Sequence, residues 1–223
     1  MTAARTVRPS LAAHRAAAVR VAALLAPPGA RVGTGAPLGS WAALAAVPDP
    51  VETARRARVG LGAVTSIPVL ETMLGLPHGL PVPAAALSAR ERQALAAAPA
   101  GCVDHDPDGI VRQARPPLSP ALAVVAATRG WRAGLGQAGR YAPFCARVIV
   151  LDRAPRDLLA ARVDAGFYGV GLVLAADDGE LETLVAPEPY RPHRISVRRW
   201  WFAEQIHQAL LAEERATAEA GAA

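Results

Sequence analysis

The chain has 223 residues, 52% hydrophobic and 19% charged, with a formal net charge of +5. That length can bury a full core in one domain or two small ones, and the balance describes a globular chain rather than a disordered one. Every one of the 24 Lys+Arg residues is arginine, which excludes a Walker-type phosphate lysine and a Schiff-base lysine.

The basic balance is compatible with a polyanionic partner such as DNA, although an arginine-rich composition alone also produces it. Only 4% of residues are aromatic, so core volume must come mainly from leucine and valine. Cys102 and Cys145 stand far apart without metal-ligand neighbours, which argues against a disulfide scaffold or a zinc site and for reduced thiols in the cytoplasm. Arg5, Arg8, Arg15 and Arg20 interrupt the alanine-rich start, so no membrane span or signal peptide is expected.

Ser10 to Leu25 reads as a helix with Ser10 as N-cap, Pro27-Pro28 as the stop, and Leu11, Ala18, Val21, Ala22 and Leu25 on one face. Gly29 to Pro50, rich in glycine and proline, predicts a loop with a short helix around Ser40 to Ala46, anchored by Trp41 and Leu44. Glu52 to Leu80 predicts two helices joined at Val59 to Gly62. Ala54, Gly60, Leu70 and Met73 stand where a helix-turn-helix takes a small residue, a turn glycine and core apolars, and the segment resembles that motif. Pro68 falls inside the second helix, where it costs about 3 kcal/mol unless it occupies the first turn. Thr65, Ser66 and Glu71 are the available base-edge readers, while Arg55, Arg56 and Arg58 on the preceding helix are candidate phosphate contacts. The same residues also describe an ordinary helical hairpin with solvated arginines.

Ser88 to Ala98 predicts a third helix, opened by the capping box of Ser88 and Glu91 and ended at Pro99. Asp106-Pro107-Asp108-Gly109 then marks a hairpin turn. A helix followed by a hairpin is what a winged helix needs, and the same order is common in proteins that do not touch DNA. Asp104, Asp106, Asp108 and Gly109 also begin like an EF-hand loop, but its twelfth position is Arg115 where a bidentate glutamate is required. A solvated turn is expected there.

Ala121 to Ala127 predicts a strand, a short helix carries Trp131, Leu135, Gln137 and Tyr141, and Ala146 to Leu151 predicts a second strand. This segment, about Pro117 to Pro187, resembles the PD-(D/E)xK nuclease superfamily, whose central strands present an acid and then Glu-x-Lys, followed by a helix with Gln-x-x-x-Tyr. Gln137 and Tyr141 match that helix motif. The resemblance places the first acid near Ala121, the second near Ala126 and the lysine near Thr128. Two carboxylates are needed to hold the divalent metal that activates water and stabilises charge on phosphate. Alanine supplies neither, and no acid occurs between Ser119 and Arg140. The resemblance therefore implies the nuclease fold without its catalytic residues.

A helix or turn, Pro155 to Ala161, precedes the apolar run FYGVGLVLA, read as a strand containing Gly166, Gly169 and Gly171; with no helix after it, these do not spell a dinucleotide loop. Asp177-Asp178-Gly179 turns into a closing strand, ETLVAP. The last helix runs from about Ser196 to Ala212, with Trp200, Trp201, Ile206, Leu210 and Leu211 forming an apolar surface behind Arg191, Arg194, Arg198 and Arg199. Those residues fit base stacking beside a phosphate patch, but they fit better a helix docked on a sheet with arginine stems along its edge. The final ATAEAGAA is expected to fray.

No histidine pair has metal-ligand spacing, and no Gly-x-Ser-x-Gly elbow occurs. Asp152, Asp157, Asp164, Asp177, Asp178 and Glu180 are the acids from which a displaced metal site would be built, with Asp152 at a strand end best placed. The expectation is an α/β chain, α+β overall: a helical, winged-helix-like region at 1–115, a nuclease-like α/β domain with the terminal helix at 116–215, and a frayed tail at 216–223. The expected function is that of a DNA-binding or nucleoprotein-associated protein without catalysis, metal or cofactor, with Arg55, Arg56, Arg58, Arg194, Arg198 and Arg199 as the nucleic-acid contacts. The alternatives are a protein-interaction module using the Trp200/Trp201 surface and a metal-dependent nuclease with a displaced site.

Overall fold

A computed structural model describes residues 10–176, 179–191 and 194–221. In chain order the elements are α1 (Leu11–Leu25), β1 (Arg31–Gly35), β2 (Ala42–Pro48), α2 (Pro50–Val59), α3 (Ile67–Gly75), β3 (Pro81–Val82), a 3-10 turn (Ala84–Ala86) and α4 (Ala89–Ala96). There follow β4 (Val103–Asp106), β5 (Gly109–Arg112), β6 (Leu118–Ala126), α5 (Trp131–Gly139), β7 (Ala146–Leu151), α6 (Leu158–Phe167), β8 (Val170–Ala175), β9 (Leu181–Val185) and α7 (Val197–Gly221). The protein is α/β. Among the described residues a six-stranded mixed sheet has the order β1-β2-β6-β7-β8-β9, and a three-stranded sheet the order β3-β5-β4. No helix among these residues is long and apolar enough to cross a membrane.

The chain packs as two units, each built from two stretches: Met1–Ala46 with Ala121–Arg191, and Val47–Pro120 with Pro192–Ala223. This division differs from the linear one expected near residue 115. α1 belongs with β6 and β7 because Ala17, Ala18, Val21 and Ala22 pack on Leu122, Val124, Val148 and Val150 of their sheet. α7 belongs with Val47–Pro120, where Trp200 joins the core of Leu70, Met73 and Leu95.

In the first unit, β6, β7 and β8 run parallel in register, Ala126 opposite Val150 and Val150 opposite Val173. Their near-continuous Val, Ile and Leu content suits strands covered on both faces. Even-numbered Leu122 and Val124 face α1. On the other face α5 comes so close that a Cβ on Gly134 would lie 2.7 Å from the Ala127 Cβ and 3.5 Å from Ile149. The unit is thus three layers, helix, sheet and helix. α1 forms as expected, its cap made by the Ser10 hydroxyl accepting from the Ala13 amide at 3.1 Å. Leu11, however, points to solvent and His14 and Ala17 take its place in the buried face.

Three expectations in this unit are corrected. The predicted short helix at Ser40 to Ala46 is strand β2, with Ala42 to Ala46 all buried between β1 and β6. Small side chains fit a strand enclosed on both faces, and that placement overrides alanine's helix preference. The helix expected at Pro155 to Ala161 runs instead from Leu158 to Phe167. Of the three glycines assigned to the next strand only Gly171 lies in it. Gly166 is helical, and Gly169 links α6 to β8 at φ +63. The acids of the Asp177-Asp178 turn lie outside the described residues.

The second unit packs α2, α3, α4 and α7 with the antiparallel sheet β3-β5-β4. Asp49 caps α2, its Oδ1 accepting from the Val51 and Glu52 amides at 3.0 Å, and Gly60 ends it in the left-handed region at φ 68. The expected capping box of Ser88 and Glu91 opens α4, and the hairpin turns at Asp106 to Gly109. Pro68 occupies the first turn of α3, so no helix is broken, and the joint with α2 extends through Ser66 rather than ending at Gly62. α7 continues to Gly221, past the expected stop at Ala212. The Ala- and Glu-rich end consists of good helix formers, with no proline or glycine before Gly221.

Candidate functional site

Strands β6 and β7 are adjacent and parallel, so the turns that leave them open on the same edge of the sheet, where α/β proteins place ligands. After β6 the Ala127 amide still donates to the Val150 carbonyl at 2.9 Å. The chain then turns through Thr128 and Arg129 to Gly130, whose φ 90 and ψ 165 are accessible essentially to glycine alone. α5 begins there without a side-chain cap. After β7 the turn Asp152-Arg153-Ala154-Pro155-Arg156 leads to Asp157 at the start of α6.

Asp157 does not cap its own helix. Its carboxylate accepts from Trp131 Nε1 at 3.0 Å and pairs with Arg132 at 2.8 Å, tying the two turns together. The Trp131 hydrogen bond holds this carboxyl below its ordinary value, with the Arg132 contact acting in the same direction. Arg132 also lies over the Trp131 ring, 4.1 Å from its centroid.

Between the turns lies a cleft of about 850 Å3, lined by Thr128, Arg129, Asp152, Arg153 and Arg156 among others. Arg132 matches Asp157, so among the described residues of the lining Arg129, Arg153 and Arg156 face Asp152 as the only other charge. The local field is positive and the uncapped start of α5 adds to it, an arrangement suited to a phosphate or another anion.

The aligned nuclease positions are placed unequally. Thr128 reaches the cleft. Ala126, half-buried at the end of β6, packs against the α1-side core, whereas Ala121 has the opposite strand parity and turns to the other face. Tyr141 is buried just beyond α5 and donates to the Ser40 carbonyl at 3.1 Å, and Gln137 is half-buried on α5. Burial raises the Tyr141 phenol above its ordinary value. This tyrosine fastens α5 to the segment before β2. Among the described residues no three His, Cys, Asp or Glu side chains are grouped to hold a metal.

In the second unit two of the predicted phosphate contacts are withdrawn from solvent. Arg56 is buried, donating to Glu204 at 2.7 and 2.9 Å, to Glu52 at 2.8 Å and to the Gly62 and Arg115 carbonyls. Burial acts to lower its pKa, but the contacts with Glu204 and Glu52 outweigh it and the net shift is upward. Arg55 is spent on Glu52 and the Gly101 carbonyl. Arg58 and Arg198 are exposed, and Arg194 and Arg199 line a recess of about 280 Å3 with Ser119 and Trp200. Trp200 is buried, its Nε1 donating to Glu204 at 2.9 Å, which removes it from the expected interaction surface; Trp201 is half-buried against the same core. The hairpin turn presents Asp104, Asp106 and Asp108 outward.

Sequence reasoning missed Glu204 altogether. Its only trace was a spacing of four from Trp200, matching that of Glu52 and Arg56.

Fold and cleft together define an α/β protein with an arginine-lined crevice at the carboxyl edge of its parallel strands. No protein-family model, no curated protein and no solved structure matches the chain.

Proposed function

We propose that this protein binds nucleic acid without cutting it, on a fold related to PD-(D/E)xK nucleases, and that the first unit's cleft receives the phosphate backbone. The observation that carries this reading is the set Arg129, Arg153 and Arg156 on one crevice with Thr128 at its edge, the position where the resemblance puts the nuclease lysine. The order strand, helix, parallel strand from β6 to β7 agrees with the same resemblance. Nothing at Ala121 or Ala126 can hold a metal, so retention rather than hydrolysis is what the residues favour.

The second unit's helices and three-stranded sheet agree with a winged-helix reading in element order. Its acidic turn and inward Arg55 and Arg56 are poorly suited to phosphate, so we assign DNA contact first to the cleft, with Arg58, Arg194, Arg198 and Arg199 as secondary contacts. Cys102 and Cys145, both buried and in the thiol form, suit a reducing, cytoplasmic setting.

The test is binding of a labelled duplex and a matching single strand across a salt series. Affinity should fall linearly with salt on logarithmic axes, and Arg129→Ala with Arg153→Ala should flatten the slope by about two. Undetectable binding at low salt overturns the proposal. Cleavage with magnesium or manganese that disappears in Asp152→Ala would establish the displaced-site nuclease instead.

A further inference from the structure

Helix α6 has its apolar residues on the wrong side for a helix that belongs to one chain. The fully buried residues it turns inward, against β8 and β9, are alanines, Ala161 at 1% exposure and Ala165 at 0%. Leu158 is half-buried, but the other large apolar residues are outside: Leu159 is 78% exposed, Val163 60% and Phe167 81%. Their spacing of four places them in one stripe, directly opposite the buried alanines. Tyr168 extends the stripe, its ring edge-on to Phe167 at 5.1 Å. Gly166 beside it is open, with nothing within 4 Å of an added Cβ, so another backbone can approach closely there. Contiguous exposed apolar surface of this kind marks an interface, whereas singly scattered apolar residues do not.

We propose that a second copy of this chain covers α6, forming a two-fold homodimer. Charge selects the occupant. Arg162 and Asp164 flank Val163 at about 100° to either side of the stripe. Neither has an ion-pair partner among the described residues. When two copies of α6 lie side by side in the same direction about a two-fold axis, Arg162 of each faces Asp164 of the other on both flanks, and Val163 meets Val163 along the seam. The face is complementary to itself. A polyanion or an anionic membrane surface would meet Asp164 with repulsion.

This inference does not rest on nucleic-acid binding, and its test uses none. Sedimentation equilibrium of the full chain should show a monomer-dimer equilibrium within roughly 1 to 200 µM, where modest interfaces associate. Val163→Asp, on a fully formed outer face, should leave the circular dichroism and thermal transition of the parent and abolish the dimer. Asp164→Arg should weaken association by about tenfold or more, and Arg162→Asp combined with Asp164→Arg should restore it. A chain monomeric throughout that range overturns the proposal, as does a dimer that persists in a folded Val163→Asp variant. A dimer indifferent to Asp164→Arg overturns the assigned pairing.

Discussion

The Arg56 guanidinium grips the Glu204 carboxylate with two nitrogens, Nη2 to Oε1 at 2.7 Å and Nη1 to Oε2 at 2.9 Å, and both side chains are almost wholly withdrawn from water. The remaining positions on Glu204 are filled by the Val64 amide and Trp200 Nε1, each at 2.9 Å. One buried network thus joins α2, the turn before α3, and α7. Desolvating such a pair costs as much as its attraction returns, so its strength appears when one partner is removed and the other charge is stranded. Arg56→Met and Glu204→Leu should each lower unfolding free energy by about 3–5 kcal/mol in urea titrations. The double variant should be appreciably more stable than the sum of the two losses predicts, because no uncompensated Arg56–Glu204 charge remains. Strict additivity would show that the two residues act separately.

Glu52 gives this network a pH dependence. Burial pushes its carboxyl up, but the hydrogen bonds from Arg55 and Arg56, with the Arg115 amide, outweigh burial and hold it below the usual 4.5. A carboxyl with a lowered folded pKa stabilises the fold above its unfolded value, and that contribution is lost as pH falls through the folded value. The stability advantage of the parent over Glu52→Gln should therefore be full at neutral pH and shrink once the pH drops below 4.5. Urea midpoints of both proteins measured down the acid range check this; a gap that widens toward acid contradicts it.

These two residues also show what a sequence can and cannot reveal. The spacing of four between Glu52 and Arg56 is local and visible, as is the capping box of Ser88 and Glu91. Glu204 stands 148 residues from Arg56, and no periodicity links them. Ala42 to Ala46 of β2 read as helical by propensity, while their burial comes in part from β6, a strand contributed by distant chain. α6 runs on to Phe167 because Phe167 and Tyr168, which open an apolar run that reads as strand, instead close the helix and its C-cap. In the cleft, Asp152 was legible at a strand end. Arg129, Arg153 and Arg156 converge only because β6 and β7 lie side by side in parallel.

Cys102 is buried in the second unit's core, and burial pushes its thiol up to about 11. Thiolate, the reactive form, is then about one part in a thousand at pH 8, and reagent access is blocked as well. Cys145 is likewise buried. Neither thiol should react with an aromatic disulfide reagent in the native protein at pH 8, and both should react at once in denaturant. Rapid native labelling of one thiol would mean that the region around it opens far below the global unfolding free energy.

Gly130 at the cleft and Gly136 inside α5 predict opposite responses to the same substitution. Gly130, at φ 90 and ψ 165, holds the turn from β6 into α5 in a region that an alanine reaches only with strain of about 1–3 kcal/mol. Gly136 lies inside α5 with ordinary helical geometry and open space where a Cβ would go. Gly130→Ala should lower thermal stability and, by shifting Arg129 relative to Arg153, also weaken salt-sensitive binding of DNA. Gly136→Ala should instead stabilise by about 0.4–1 kcal/mol, because the unfolded chain loses freedom that the helix does not use. Its DNA affinity should match the parent, since Gly136 is outside the cleft lining. Thermal melts and binding isotherms of the two variants, run side by side, separate strain at the cleft from a general effect on α5: a destabilised Gly130→Ala with unchanged binding would detach the turn's geometry from the proposed phosphate contact.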